Sequence, residues 1–127
     1  MKQKRILIAD DDAALVRVLV LRCKHIGLHV IGCHDAMHAL TLIHKDPPDL
    51  IIFDVNMPAG DGIAASEMLA ADKRLRHIPI IVMTGQSRDG YTQRCETLGA
   101  EYVLKEGDVW QRLKPLISKL LDLKKAA

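Results

Sequence analysis

Leu50-Ile51-Ile52-Phe53-Asp54, continuing into Val55-Asn56-Met57-Pro58, is the stretch that decides the fold. Four apolar residues in a row read as a short strand buried on both faces, the pattern of a parallel sheet covered on either side. The run ends on a lone carboxylate. Aspartate is a poor strand former, and burying it unpaired is costly. Taken alone, Asp54 is explained by a turn that carries the chain out of the strand. Other strand ends in the same sequence argue against so plain an explanation.

Upstream, Ile6-Leu7-Ile8-Ala9 is a second continuous apolar run, and it ends on Asp10-Asp11-Asp12. Val16, Leu19, Val20, Cys23 and Ile26 then recur at helical spacing, and Gly27 is placed to stop that helix. His29-Val30-Ile31-Gly32-Cys33 is a shorter strand. Asp35 is placed to cap a helix with the stripe Ala36, Ala39, Leu40 and Ile43, which Pro47-Pro48 ends. Downstream of Asp54 a loop with Pro58, Gly60 and Gly62 leads to a helix over 63–71 presenting Ala65, Met68 and Leu69. Ile80-Ile81-Val82-Met83 follows Pro79 and ends on Thr84. The polar segment 88–98 keeps Tyr91, Cys95 and Leu98 on one side, and Gly99 closes it. Tyr102-Val103-Leu104 ends on Lys105. A last helix over 109–123 buries Val109, Leu113, Leu116, Ile117, Leu120 and Leu121, with Pro115 inside it.

Five strands alternate with five helices, which predicts an α/β domain: a single parallel sheet covered on both faces. The 127 residues suit one such domain, and 49% hydrophobic content is enough for a core. With one Phe, two Tyr and one Trp, that core is aliphatic. A formal net charge of +2 gives no reason to expect nucleic acid or membrane as a direct partner. No apolar run approaches a membrane span. Cys23, Cys33 and Cys95 are odd in number and hold no C-x-x-C pair, which fits buried thiols in a reducing cytoplasm. His25/His29 and His34/His38 are each four apart, but Gly27 and the cap at Asp35 keep either pair from sharing a helix face, so solvated or partner-facing rings are expected.

In open α/β sheets, ligands sit at the carboxyl ends of the strands. Four strands here end on functional groups: Asp10/Asp11, Asp54, Thr84 and Lys105. Each has an ordinary explanation: Asp12 or Asp11 as a helix cap, Thr84 as a turn residue, Lys105 as a surface amine. All four at one sheet edge are harder to dismiss. Adjacent strands lie about 4.8 Å apart, so neighbouring strands ending on Asp10 and Asp54 would crowd three carboxylates together. Such groups repel unless neutralised, and an all-oxygen acidic site suits Mg²⁺. A carboxylate is also a nucleophile toward phosphorus, with Lys105 as counter-charge and Thr84 as hydrogen-bond donor to the phosphoryl oxygens.

With Ile-Leu-Ile-Ala-Asp-Asp-Asp, Phe-Asp-Val-Asn-Met-Pro-Ala-Gly-Asp-Gly, Ile-Val-Met-Thr-Gly and Tyr-Val-Leu-Lys in this order and spacing, the chain resembles the receiver domain of bacterial two-component response regulators. The match runs from Ile6 to about Leu121. It is similar to the stand-alone, chemotaxis-type members, with residues 1–127 as one receiver and no output domain. The resemblance implies a flavodoxin-like fold, five parallel strands in the order 2-1-3-4-5 with five flanking helices. It implies phosphorylation of Asp54. Asp10, Asp11, Asp54 and the backbone carbonyl of Asn56 would hold Mg²⁺, and Thr84 and Lys105 would contact the phosphoryl group. Thr84 and Tyr102 would form the switch. The implied donor is a phosphohistidine on a sensor histidine kinase or histidine phosphotransfer protein, or a small acyl or amido phosphate. The protein would be no enzyme beyond catalysing its own phosphorylation and dephosphorylation, and would be cytoplasmic. A downstream protein target would read the face of the fourth helix, fifth strand and fifth helix, and a phosphorylation-dependent dimer is compatible with the family. Asn56 and Gln86 flank the path of an attacking water, and neither is bulky and apolar, so fast hydrolysis is expected. One position departs from the family: Glu106 stands where Pro usually follows the lysine. A cis non-proline bond costs roughly 3 kcal/mol, so the pattern leaves open how Lys105 is aimed and whether Glu106 competes for it.

Three other readings compete. A haloacid-dehalogenase-like phosphatase would use Asp10 as nucleophile and Asp12 as acid/base, but gives Asp54 and Asn56-Met57-Pro58 no role. A flavodoxin-like cofactor binder would need a first loop rich in amide and hydroxyl donors, whereas three aspartates repel phosphate. The third is a receiver-like module that binds its partner without phosphorylation.

Overall fold

The structure, a computed structural model, describes residues 3–57, 61–85 and 89–123. Five strands alternate with five helices along the chain: β1 (Arg5–Ala9), α1 (Ala13–His25), β2 (His29–Cys33), α2 (Ala36–Lys45), β3 (Leu50–Asp54), α3 (Gly62–Ala70), β4 (Ile80–Thr84), α4 (Asp89–Leu98), β5 (Glu101–Leu104) and α5 (Trp110–Leu120). All pairings are parallel and the sheet order is β2-β1-β3-β4-β5. This is the expected order.

The continuous apolar runs form the three central strands because both sheet faces are covered. Ile6, Ile8, Leu50 and Ile52 face one apolar layer with α1 and α5 residues such as Leu19, Leu113 and Ile117. Leu7, Ile51 and Phe53 face the other, with Ala39, Ile43 and Leu69. Every residue of β3, including Asp54, is buried. Asp12 caps α1 by accepting a hydrogen bond from the Leu15 N–H at 3.1 Å, and Asp35 caps α2 from His38 N–H at 2.7 Å. Gly27, Gly99 and Gly107 take left-handed φ values of 91°, 72° and 58°. The first two follow helix ends, as glycine allows at least cost.

Some expectations shift in detail. Met68 is 61% exposed, and Ile63 takes the buried place on α3 instead. The helix is apolar or small nearly all round, so spacing did not identify its inner face. Trp110, absent from the expected core of α5, is buried there. Pro115 lies inside the helix. Among the described residues, no helix is long and apolar enough to cross a membrane.

Candidate functional site

Sheet order brings the strand ends together. β1 and β3 are direct neighbours, so Asp10, one residue past β1, lies beside Asp54 at the end of β3. Asp54 pairs in register with Met83, which puts Thr84 at the next strand end. Lys105 N–H donates to the Thr84 carbonyl at 2.7 Å, fixing the start of the last loop against the same edge. Gly62 lets the first turn of α3 close onto this edge. A Cβ there would meet the Asp54 carbonyl oxygen at 2.2 Å and Phe53 Cβ at 2.8 Å.

One ligating oxygen from each of Asp10, Asp11 and Asp54 lies within 4.8 Å of the others. Asp10 and Asp54 are buried, and Asp11 is exposed. The Lys105 ammonium reaches in from β5. It donates to Asp10 Oδ1 at 3.0 Å and lies 2.8 Å from Asp10 Oδ2 and 3.5 Å from Asp54 Oδ2. Asp10 Oδ1 also accepts the Asp12 N–H at 2.9 Å. Asp10 Oδ2 is different: it is wholly buried and, despite its nearness to the ammonium, accepts no hydrogen bond among the described residues. Thr84 is buried at the same edge. Asn56 is exposed on the loop leaving β3. Tyr102 is half-buried on β5, packed against the group of Val55, Ile63, Val82 and Cys95. Gln86, Pro58, Ala59, Gly60 and the side chain of Tyr91 lie outside the described residues.

The electrostatics follow from the crowding. Burial, then the nearby charge of Asp10, pushes the Asp54 carboxyl up to about 6, against the opposing pull of Lys105. Burial also raises Asp10, although Lys105 and the Asp12 amide oppose it. Burial works against the Lys105 ammonium, but its hydrogen bond and charge contact with Asp10, and then Asp54, outweigh that and hold its pKa above the usual lysine value. Three carboxylates and one ammonium leave a formal deficit of two positive charges when all are ionised. An oxygen-only donor set with that deficit fits a hard divalent cation.

The Lys105–Glu106 peptide bond is trans, like every other among the described residues. The lysine still reaches the acid pair, and no ion pair joins it to Glu106 among the described residues. Asp12 is exposed and its carboxylate caps α1, which removes the acid/base residue that the phosphatase reading needs. Two contacts were not anticipated. His34 Nδ1–H donates to the Asp10 carbonyl oxygen at 3.2 Å, and Asp10 N–H donates to the Cys33 carbonyl at 3.1 Å, so the end of β2 holds both backbone groups of Asp10. The only signal in the sequence was that His34 directly follows a strand. The second is a bond from the Arg112 guanidinium to the Glu106 carbonyl. The three cysteines are buried, and burial pushes the thiols of Cys23 and Cys33 up to about 12, which suits inert core residues.

Known proteins share the sequence pattern and the fold. The family model for the response regulator receiver domain matches residues 6–113. The transcriptional regulatory protein PdtaR of Mycobacterium tuberculosis is 38% identical over 105 residues, covering 80% of this chain and 49% of PdtaR. The regulator ycf27 of Galdieria sulphuraria is 37% identical over 107 residues, covering 82% of this chain and 40% of that protein. The chain thus spans half or less of the length of these relatives. Among solved structures, a CheY-like response regulator receiver domain protein from Methanospirillum hungatei superposes with a TM-score of 0.85 at 25% identity, covering 95% of this chain and 96% of that one. The chain belongs to the response regulator receiver domain family of two-component systems.

Proposed function

We propose that this receiver takes a phosphoryl group onto Asp54 in a Mg²⁺-dependent reaction and, once phosphorylated, presents an altered α4-β5-α5 face to a downstream protein. The observation that carries the reading is the convergence of Asp10, Asp11 and Asp54 within 4.8 Å, with Lys105 bridging Asp10 and Asp54. Asp10, Asp11 and Asp54 would hold the cation, with the Asn56 carbonyl as a fourth donor. When bound, Mg²⁺ supplies positive charge to the phosphoryl oxygens.

The chain's own residues do the rest. An ionised Asp54 oxygen attacks phosphorus. A P–O bond forms as the donor's P–N bond breaks, and the departing imidazole nitrogen keeps the electron pair. Lys105 neutralises charge on the phosphoryl oxygens, and the Thr84 hydroxyl donates to one of them. Hydrolysis returns Asp54 and inorganic phosphate, so the chain catalyses only its own phosphorylation and dephosphorylation. Neither Asn56 nor Gln86 is bulky and apolar, which favours a short lifetime. Movement of Thr84 toward the phosphoryl group and inward rotation of Tyr102 on the edge strand β5 would carry the signal to the partner face. The donor would be a sensor histidine kinase or histidine phosphotransfer protein, at work in the cytoplasm.

Labelling with acetyl phosphate tests this. Wild type in Mg²⁺ should take up one phosphoryl group, whereas metal-free wild type and Asp54→Asn should not. Equal labelling of Asp54→Asn would refute it.

A further inference from the structure

Lys105 points at Asp10 and Asp54 from the first position of a short loop, residues 105–109, that joins β5 to α5. Little in the loop itself fixes that aim. Glu106, Gly107 and Asp108 are exposed, and Gly107 takes the left-handed φ of 58°. Upstream the loop is held by Lys105 N–H on the Thr84 carbonyl. Downstream, Asp108 Oδ1 accepts the Trp110 N–H at 3.2 Å, which starts the helix but does not touch residues 105 and 106. The contact that does reach back is from Arg112, whose Nη2 donates to the backbone carbonyl of Glu106. Arg112 sits half-buried in the first turn of α5, between Trp110 and Leu113, both buried in the core. The guanidinium is therefore carried by a fixed part of the molecule, and its target is the peptide group next to Lys105.

We infer that Arg112 is a positioning residue: by holding the Glu106 carbonyl, it sets the backbone from which Lys105 reaches the carboxylates. This rests on the proposed phosphoryl transfer for its functional consequence, but not for its geometry. The bond goes to a main-chain oxygen, so the Glu106 side chain is dispensable.

Two readouts test it, on Arg112→Met, which keeps an apolar stem, Arg112→Lys, which keeps a donor, and Glu106→Ala, which keeps the carbonyl. The first is acetylation of Lys105 in the metal-free protein, followed by mass spectrometry, with the other lysines as internal controls. The second is the rate of labelling by acetyl phosphate, set beside the Mg²⁺ dissociation constant. Arg112→Met should raise Lys105 reactivity several-fold and slow labelling about tenfold through misplacement of the amine. Its Mg²⁺ affinity should not fall, because a displaced ammonium competes less for Asp10 and Asp54. Arg112→Lys should recover part of both, and Glu106→Ala should match wild type. A mere loss of stability would move the melting temperature without the selective change at Lys105. Arg112→Met indistinguishable from wild type in Lys105 reactivity would overturn the inference, as would a Glu106→Ala variant equally impaired. Failure of wild type to label at all would instead reject the phosphoryl-transfer reading, with the acetylation pattern still deciding the role of Arg112.

Discussion

The two edges of the sheet are both rich in charge, yet they are built in opposite ways. At the amino edge, charges settle one another. Arg5 pairs with Asp46 at 2.8 Å, and its backbone N–H donates to Asp49 at 2.8 Å. His44 lies 3.5 Å from Asp72, and Arg74 donates to the His44 carbonyl at 2.8 Å. Basic residues in the last turns of α1 and α2 also meet the negative helix ends. At the carboxyl edge, like charges are gathered and buried with one ammonium between them. Stability has been given up at the carboxyl edge, where negative charge is buried in excess, whereas Arg5 and Asp46 at the amino edge neutralise each other.

The largest effect should come from removing the ammonium that contacts both Asp10 and Asp54 at the carboxyl edge. Lys105→Met leaves Asp10 and Asp54 buried without a counter-charge and should cost about 2–4 kcal/mol at pH 8. The loss should shrink toward pH 5, where Asp54 takes up a proton. Denaturant unfolding at both pH values reads this, and an equal loss at each would contradict it.

Next comes a gain. Asp54 has a folded pKa of about 6, above its ordinary 3.8. Between these values the folded state holds more protons than the unfolded one, so metal-free wild type loses stability as pH rises through that window. The penalty is absent well below pH 3.8 and complete well above pH 6. Asp54→Asn should therefore be more stable than metal-free wild type at pH 8 by about 1–3 kcal/mol. The advantage should fade toward pH 4 and be cut by Mg²⁺. A pH-independent difference would refute the assignment.

Asp12→Ala, which removes the α1 cap without touching the acid cluster, should cost about 1 kcal/mol and leave labelling of Asp54 in place. Loss of labelling with the fold intact would revive a chemical role for Asp12. The smallest effect belongs to the amino edge: Arg5→Met should cost no more than about 1 kcal/mol, less in high salt, because Asp46 is largely exposed. Thermal melts at two salt concentrations check it.

Much of this contrast could be read from the sequence. Ile6–Ala9, Leu50–Phe53 and Ile80–Met83 announced central strands because a strand covered on both faces leaves no polar alternation. The groups ending those strands gave the acid cluster once the sheet order was assumed. What escaped depended on contacts across the chain. Met68 was placed inward because α3 is apolar on nearly every side, and only packing against β3 and β4 decides which side is buried. The hold of His34 on the Asp10 carbonyl needs β2 beside β1. The aim of Lys105 looked uncertain with Glu106 after it, since neither the trans bond nor the reach of Arg112 has a local signature.

On the proposed function, the carboxyl edge binds a divalent cation because its described residues bury more negative than positive charge. Calorimetric titration of Mg²⁺ into wild type and Asp11→Asn tests it most directly, because Asp11 is exposed and its replacement should leave the fold untouched. Wild type should give a single-site isotherm, and Asp11→Asn should bind at least about tenfold more weakly through loss of one anionic ligand. No binding to wild type, or equal affinity in the two proteins, would contradict the account.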